Sequence, residues 1–175
     1  MFLSPADPTR IENTAFFKYS RSSYGANAQV FYNSPKLITS FPDGTSQTIA
    51  FGEHYSSNCS GMYYDWGNNI NSMMLGSHGA SFAEGGKYPA SFPDYYPITR
   101  DNPPVTMGSC GNGWTFQVRP APDKCFPGLL QTPHPGGMVT GFVDGSVRTL
   151  SPTIAPEVFW GAVTPAGGEV LGDFN

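Results

Sequence analysis

The sequence predicts a mainly β, α+β fold: an antiparallel sheet with long irregular loops and one short C-terminal helix. Three observations predict it. Two β-type runs, Met138–Val143 and Ser146–Leu150, flank Asp144-Gly145, and an Asp-Gly between such runs is a strong short-range hairpin signal. Gly 21 and Pro 17 make the 175 residues rich in turns, while 14% aromatics argues against disorder. Only 13% of residues are charged, too few for a coiled coil or a highly charged disordered chain. The length suits a single domain over 1–175, with roughly two thirds of the unfolded surface buried.

Along the chain, Pro5 and Pro8 begin a Pro-rich opening, and Ala15-Phe16-Phe17 forms an apolar knot. Tyr24 to Tyr32 is short and aromatic-ended, which predicts a strand under loops. Phe41-Pro42-Asp43-Gly44-Thr45-Ser46 predicts a turn: Pro fixes φ, Asp bonds its own backbone and Gly accepts φ > 0. Gln47 to Tyr55 predicts a strand, with Ile49, Phe51 and Glu53 alternating against Thr48, Ala50 and Gly52. Residues 60–125 form an irregular aromatic-rich loop region in which short strands are expected but not placed. In the C-terminal region 134–175, the Asp-Gly hairpin is expected to close through a two-residue type I′ loop. Pro156 suits a first helical turn and Glu157 the positive helix end. Val158, Phe159, Ala162 and Val163 share one face of a two-turn helix, halted by Thr164-Pro165. Gly167 to Phe174 reads as a turn and a last strand. Phe142-Val143-Asp144-Gly145-Ser146 echoes Phe41-Pro42-Asp43-Gly44-Thr45, which reuse of one good turn explains.

A net charge of −4 argues against a nucleic-acid partner. No stretch approaches the 18 or more apolar residues that span a bilayer, and no signal peptide is visible in Met1-Phe2-Leu3-Ser4-Pro5. The cysteines Cys59, Cys110 and Cys125 lack zinc-type spacing. Two readings stand: in an oxidising compartment Cys110 pairs with Cys125 across a 14-residue stretch, contributing about 3 kcal/mol, or all three thiols are reduced.

His134, nine residues, then Asp144-Gly145 is a His-x9-Asp-Gly pattern, followed by Trp160 and Gly167-Gly168-Glu169. Asp43-Gly44-Thr45-Ser46 precedes Gly52-Glu53, and Ser4-Pro5-Ala6-Asp7-Pro8 opens the chain. In these three ordered motifs, the sequence resembles a large bacterial family of prepilin-like proteins, abundant in planctomycetes, that ends in a His-x9-Asp-Gly domain. The resemblance implies a pilin- or pseudopilin-like head in the cell envelope or outside the cell, with other pilin-like subunits or envelope components as partners. It implies no defined activity and no cofactor. The family's processing site and hydrophobic N-terminal helix are not present, so the chain is read as the soluble head apart from its helix, or as a member without one. Membrane attachment would run only through that helix. Ser4 stands where the family usually has Cys, which leaves one cysteine over, assigned to Cys59. The motif residues, Gly136 and Ser146 included, are read as structural.

The enzyme reading would pair His134 with Asp144. The hairpin arm between them is six residues long, which at ~3.3 Å each separates its ends by roughly 20 Å. Asp144 is therefore expected to make the turn, and His134 to bond backbone near the helix start. No nucleophile elbow, phosphate loop or metalloprotease motif occurs. Glu53 and His54 are adjacent on a strand and face opposite sides, and His78 sits in a Gly-flanked loop, so no metal is expected. Loop carboxylates such as Asp43, Asp65 and Asp94 are read as solvated rather than Ca²⁺-binding. Tyr63, Tyr64, Trp66, Tyr95, Tyr96 and Trp114 have two readings: a sugar- or solute-binding platform, or a cover for a loop-rich core.

Overall fold

A computed structural model of the chain describes residues 2–10, 21–31, 35–37, 39–59, 62–63, 81–83, 115–125, 129–168 and 174. In chain order the elements are β1 (Tyr24–Asn27), α1 (Ala28–Phe31), β2 (Ile49–Glu53), β3 (Ser57–Cys59), β4 (Met62–Tyr63), β5 (Ser81–Phe82), β6 (Phe116–Val118), β7 (Leu130–Thr132), β8 (Met138–Phe142), β9 (Val147–Leu150) and α2 (Pro156–Val163). The fold is mainly antiparallel sheet with a short helix, as the sequence predicts. A five-stranded sheet runs in the order β5-β1-β2-β8-β9, beside two-stranded ribbons β3-β4 and β6-β7. Among the described residues, no helix is long and apolar enough to cross a membrane.

The predicted strand Tyr24–Tyr32 stops halfway. The Asn27 side-chain oxygen accepts the Gln29 N–H at 3.0 Å, and Ala28–Phe31 turns helical. A short polar side chain that captures the backbone two residues on competes with the sheet ladder. Asn27 is fully buried, and its amide donates to the carbonyls of Ile49 and Val163 at 2.8 and 2.7 Å. It thus joins β1, β2 and α2 at one point.

β2 is the middle strand, antiparallel to both β1 and β8. Its expected alternation fails for a visible reason. Ile49 pairs with Phe142 and Phe51 with Gly141, so Ala50 is an extra residue in a bulge. Ile49 therefore faces the core at 0% exposure while Phe51 faces out at 39%. Gly52 lies against β7: a Cβ there would sit 2.3 Å from Leu130 Cδ1. Only a glycine allows that close approach.

The β8-β9 hairpin is present, in register from Met138↔Leu150 to Gly141↔Val147. Its tip differs from the expected two-residue type I′ loop, which needs φ > 0 at both central residues. Here only Gly145 is left-handed, at φ +84, and its N–H donates to the Phe142 carbonyl at 3.0 Å. The loop is three residues with Gly145 at the bulge position. The Phe41–Gly44 turn repeats the bond, Gly44 N–H to Phe41 carbonyl at 3.0 Å, with Gly44 at φ +100. The two echoing turns lie side by side: the N–H groups of Val143 and Asp144 donate to the carbonyls of Thr48 and Thr45.

α2 begins with Pro156 in its first turn and Glu157 beside it, and Thr164 closes it by donating its hydroxyl to the Trp160 and Gly161 carbonyls. It buries Phe159, Trp160, Ala162 and Val163 against Ile49, Leu130, Met138, Phe142 and Leu150. Full burial of a side chain such as Phe159 contributes about 1.5–3 kcal/mol. The expected last strand falls at 169–173, outside the described residues. Phe174 beyond it packs on Phe142, with ring centroids 5.4 Å apart.

Candidate functional site

The motif residues gather into three carboxylate-centred ties, each joining segments far apart in sequence. The first is Glu53, at the end of β2. One of its oxygens accepts the Thr132 hydroxyl at 2.7 Å and the Val139 N–H at 3.1 Å, from residues 79 and 86 positions away. The other oxygen lies 3.2 Å from Nε2 of His134. The Glu53 side chain is 6% exposed and that of His134 48%. Glu53 thus binds β2 to β7, to β8 and to the loop between them. Thr132 completes the knot, its hydroxyl oxygen accepting the His134 N–H at 3.1 Å.

The second tie is Asp43. Its two carboxylate oxygens accept the N–H groups of Gly167 and Gly168 at 2.7 and 3.0 Å. Consecutive N–H groups converging on one anion require an irregular backbone, and Gly168 supplies it at φ +76. The third tie is Asp7. It accepts the N–H and hydroxyl of Thr9, the Ser23 hydroxyl and the Ser56 N–H, all within 2.8 Å. Ser4 adds a bond from its N–H to the Ser23 hydroxyl at 3.0 Å. The opening segment is thereby fastened to the start of β1 and the end of β2. A buried carboxylate is tolerable only when such donors replace its lost water.

Two expectations are corrected here. His134 does not bond backbone near the helix start; its ring sits on Glu53. Asp43 is not simply solvated; it clasps Gly167 and Gly168. Neither contact has a local sequence signal, because each joins residues from distant segments. Asp144 makes the hairpin turn, accepting the Ser146 N–H at 2.9 Å. The neighbouring Ser146, through its side chain and its backbone N–H, holds the carboxyl below the usual aspartate range. Asp144 and His134 lie toward opposite ends of β8, Asp144 at the tip and His134 before Met138. Trp160 is a core residue of α2, its ring edge-on to Phe159 at 5.2 Å.

Glu53 and His54 turn to different partners, as adjacent strand residues should. The buried His54 places Nδ1 2.8 Å from the Tyr55 carbonyl. Tyr55 follows at 2% exposure, and burial pushes its phenol above the usual range. Its N–H donates to the buried Gln131 side chain at 3.2 Å. Chemically, the Glu53–His134 pair can orient an imidazole. No hydroxyl or thiol of a described residue is hydrogen-bonded to the ring, since the Thr132 hydroxyl donates to Glu53 and the Gly137 carbonyl instead. Among the described residues, no three His, Cys, Asp or Glu gather to hold a metal.

Of the aromatic residues, Tyr63 lies in β4, while Tyr64, Trp66, Tyr95, Tyr96 and Trp114 lie outside the described residues. So do Asp65, His78, Asp94, Cys110 and Glu169. Cys125 is buried and disulfide-bonded, so the fully reduced reading does not hold.

No curated protein matches the chain, and no solved structure does. A family model described as "Protein of unknown function (DUF1559)" matches residues 2–157. That span takes in Asp7, Asp43 and Glu53, the carboxylates of the three ties, with His134 and the hairpin tip Asp144. The chain belongs to the DUF1559 family.

Proposed function

We propose that the chain is a structural module: the head of a prepilin- or pseudopilin-like protein of the cell envelope or cell exterior, ending in a His-x9-Asp-Gly domain. One observation carries this reading. The carboxylates of the motifs, Asp7, Asp43 and Glu53, use their oxygens to fasten remote segments together. Residues that hold a head in shape are what an assembly subunit needs, whereas a hydrolase needs an oriented base with a nucleophile in reach. The disulfide at Cys125 supports the address, since disulfides persist in oxidising compartments. Partners on this reading are other pilin-like subunits or envelope components.

The test is fractionation of the cells that make the protein, with thiol trapping before lysis and cross-linking in the intact envelope. The expected result is an envelope or external fraction, Cys125 alkylated only after reduction, and cross-links to pilin-like subunits. Recovery in the cytoplasm with Cys125 directly alkylated would overturn the proposal.

A further inference from the structure

Arg119 breaks a local rule. It is a non-glycine residue at φ +48, in the left-handed region, directly after β6. That conformation costs about 1 kcal/mol or more in an L-residue and persists only where the surroundings enforce it. The backbone is held by one bond, Arg119 N–H to the Thr132 carbonyl at 2.8 Å. Its side chain is exposed, and among the described residues no hydrogen bond or ion pair holds the guanidinium. Thr132 also receives the His134 N–H on its hydroxyl at 3.1 Å. Arg119 and His134 are therefore moored to the same residue.

Glu53 lies against the His134 ring, and Tyr55 stands two residues further along the chain. His134 is fixed over Glu53 through Nε2. The field at the Tyr55 phenol includes the charges of Asp7, Arg119 and Glu53. With Nε2 turned to the carboxylate, Nδ1 is the ring nitrogen left for a ligand, on a side chain 48% exposed. A carboxylate that fixes one imidazole nitrogen while presenting the other is the usual way proteins orient a working histidine.

We propose that Arg119 and His134 form a binding site for a single carboxylate group, the guanidinium fork taking both oxygens and the outward imidazole nitrogen donating from the side. Arg presents paired donors that match a planar carboxylate. A fork with one donor at its side satisfies the two oxygens of a carboxylate and leaves the further oxygens of a phosphate without a partner. The strained backbone of Arg119 is then the cost of aiming that fork. The site is independent of the assembly role proposed above.

Arg119→Gly separates this reading from a merely structural one. Glycine adopts the left-handed conformation without strain, so the variant keeps its fold, with a melting temperature equal to or above that of the parent. Binding is read by NMR from the Arg119 Nε and His134 ring signals at mildly acidic pH. The probes are acetate, glucuronate, a blocked glutamate dipeptide and inorganic phosphate. Saturable shifts of both side chains with the carboxylates are expected, weaker with phosphate. In Arg119→Gly the His134 shift should need about tenfold more ligand or more. Glucuronate above acetate would point to a sugar acid as the source, and the dipeptide above both to an acidic peptide. Absence of saturable shifts, tighter phosphate binding, or an unchanged His134 response in Arg119→Gly would each overturn the proposal.

Discussion

At its Ile49 end, β2 is surrounded by Met138, Phe142, Phe159 and Val163. At its Glu53 end, four residues away, the neighbours are Thr132, His134, the Val139 N–H and the Ser56–Asp7 bond. The first end is held by packing, which is non-directional and tolerates swaps of similar volume. The second is held by charge-assisted hydrogen bonds, in which one missing partner strands the others in a dry site. In a chain with 13% charged residues, the acids stand at junctions, where each one fastens two or three segments that lie far apart in sequence. The polar end fixes which strand meets which loop.

The largest effect is expected where the two ends meet through backbone. A Cβ on Gly137 would lie 2.1 Å from the Leu150 carbonyl oxygen, at φ +128. Gly137→Ala should cost about 3 kcal/mol or more, read by urea unfolding; a loss under 1 kcal/mol would mean the loop before β8 is not held as described. Next comes the contrast between two ties. Glu53→Ala strands the Val139 N–H, leaves the buried Thr132 hydroxyl only its longer bond to the Gly137 carbonyl, and should cost about 3 kcal/mol. Asp43→Ala removes a tie whose donors can turn to water and should cost about 1 kcal/mol. Equal losses would break the distinction between buried and exposed ties.

Two pH effects are smaller and opposite in sign. The Tyr55 phenol is raised by burial above its ordinary 10.0. The unfolded chain ionises first, so this contribution is intact below about pH 10 and lost as pH climbs toward the folded value. Tyr55→Phe should flatten that alkaline loss. Asp144 is lowered from its ordinary 3.8 by the side chain and backbone N–H of the neighbouring Ser146. Its contribution is present above the unfolded value and lost as pH falls through the folded one. Asp144→Asn should remove a shallow acid dependence and little else, since the hairpin rests on Gly145. An unchanged acid limb would show that the tip bond contributes nothing.

The same contrast marks what the sequence could say. The hairpin and α2 were legible because their signals are local: Asp144-Gly145 between β-type runs, and Pro156-Glu157 before an apolar face. β2 is legible as a strand, yet the regular alternation does not hold through it, because the bulge at Ala50 shifts the register and leaves no mark of its own. The helical turn after Asn27 was hidden in an aromatic-ended run that also suits a strand. The ties were least legible. Glu53 and His134 each stand in a recognisable motif, but that they touch depends on how β7 and β8 fold over β2. Residue types give the chemistry available; only the register of distant strands decides which groups meet.

The most direct test of the ties as scaffold is a double-mutant cycle on Glu53→Gln and Thr132→Val, measured by equilibrium urea unfolding. Two residues that share a buried hydrogen bond should show a coupling energy of about 1 kcal/mol or more. Losses that simply add, to within about 0.5 kcal/mol, would contradict the claim that these motif residues hold the sheet together.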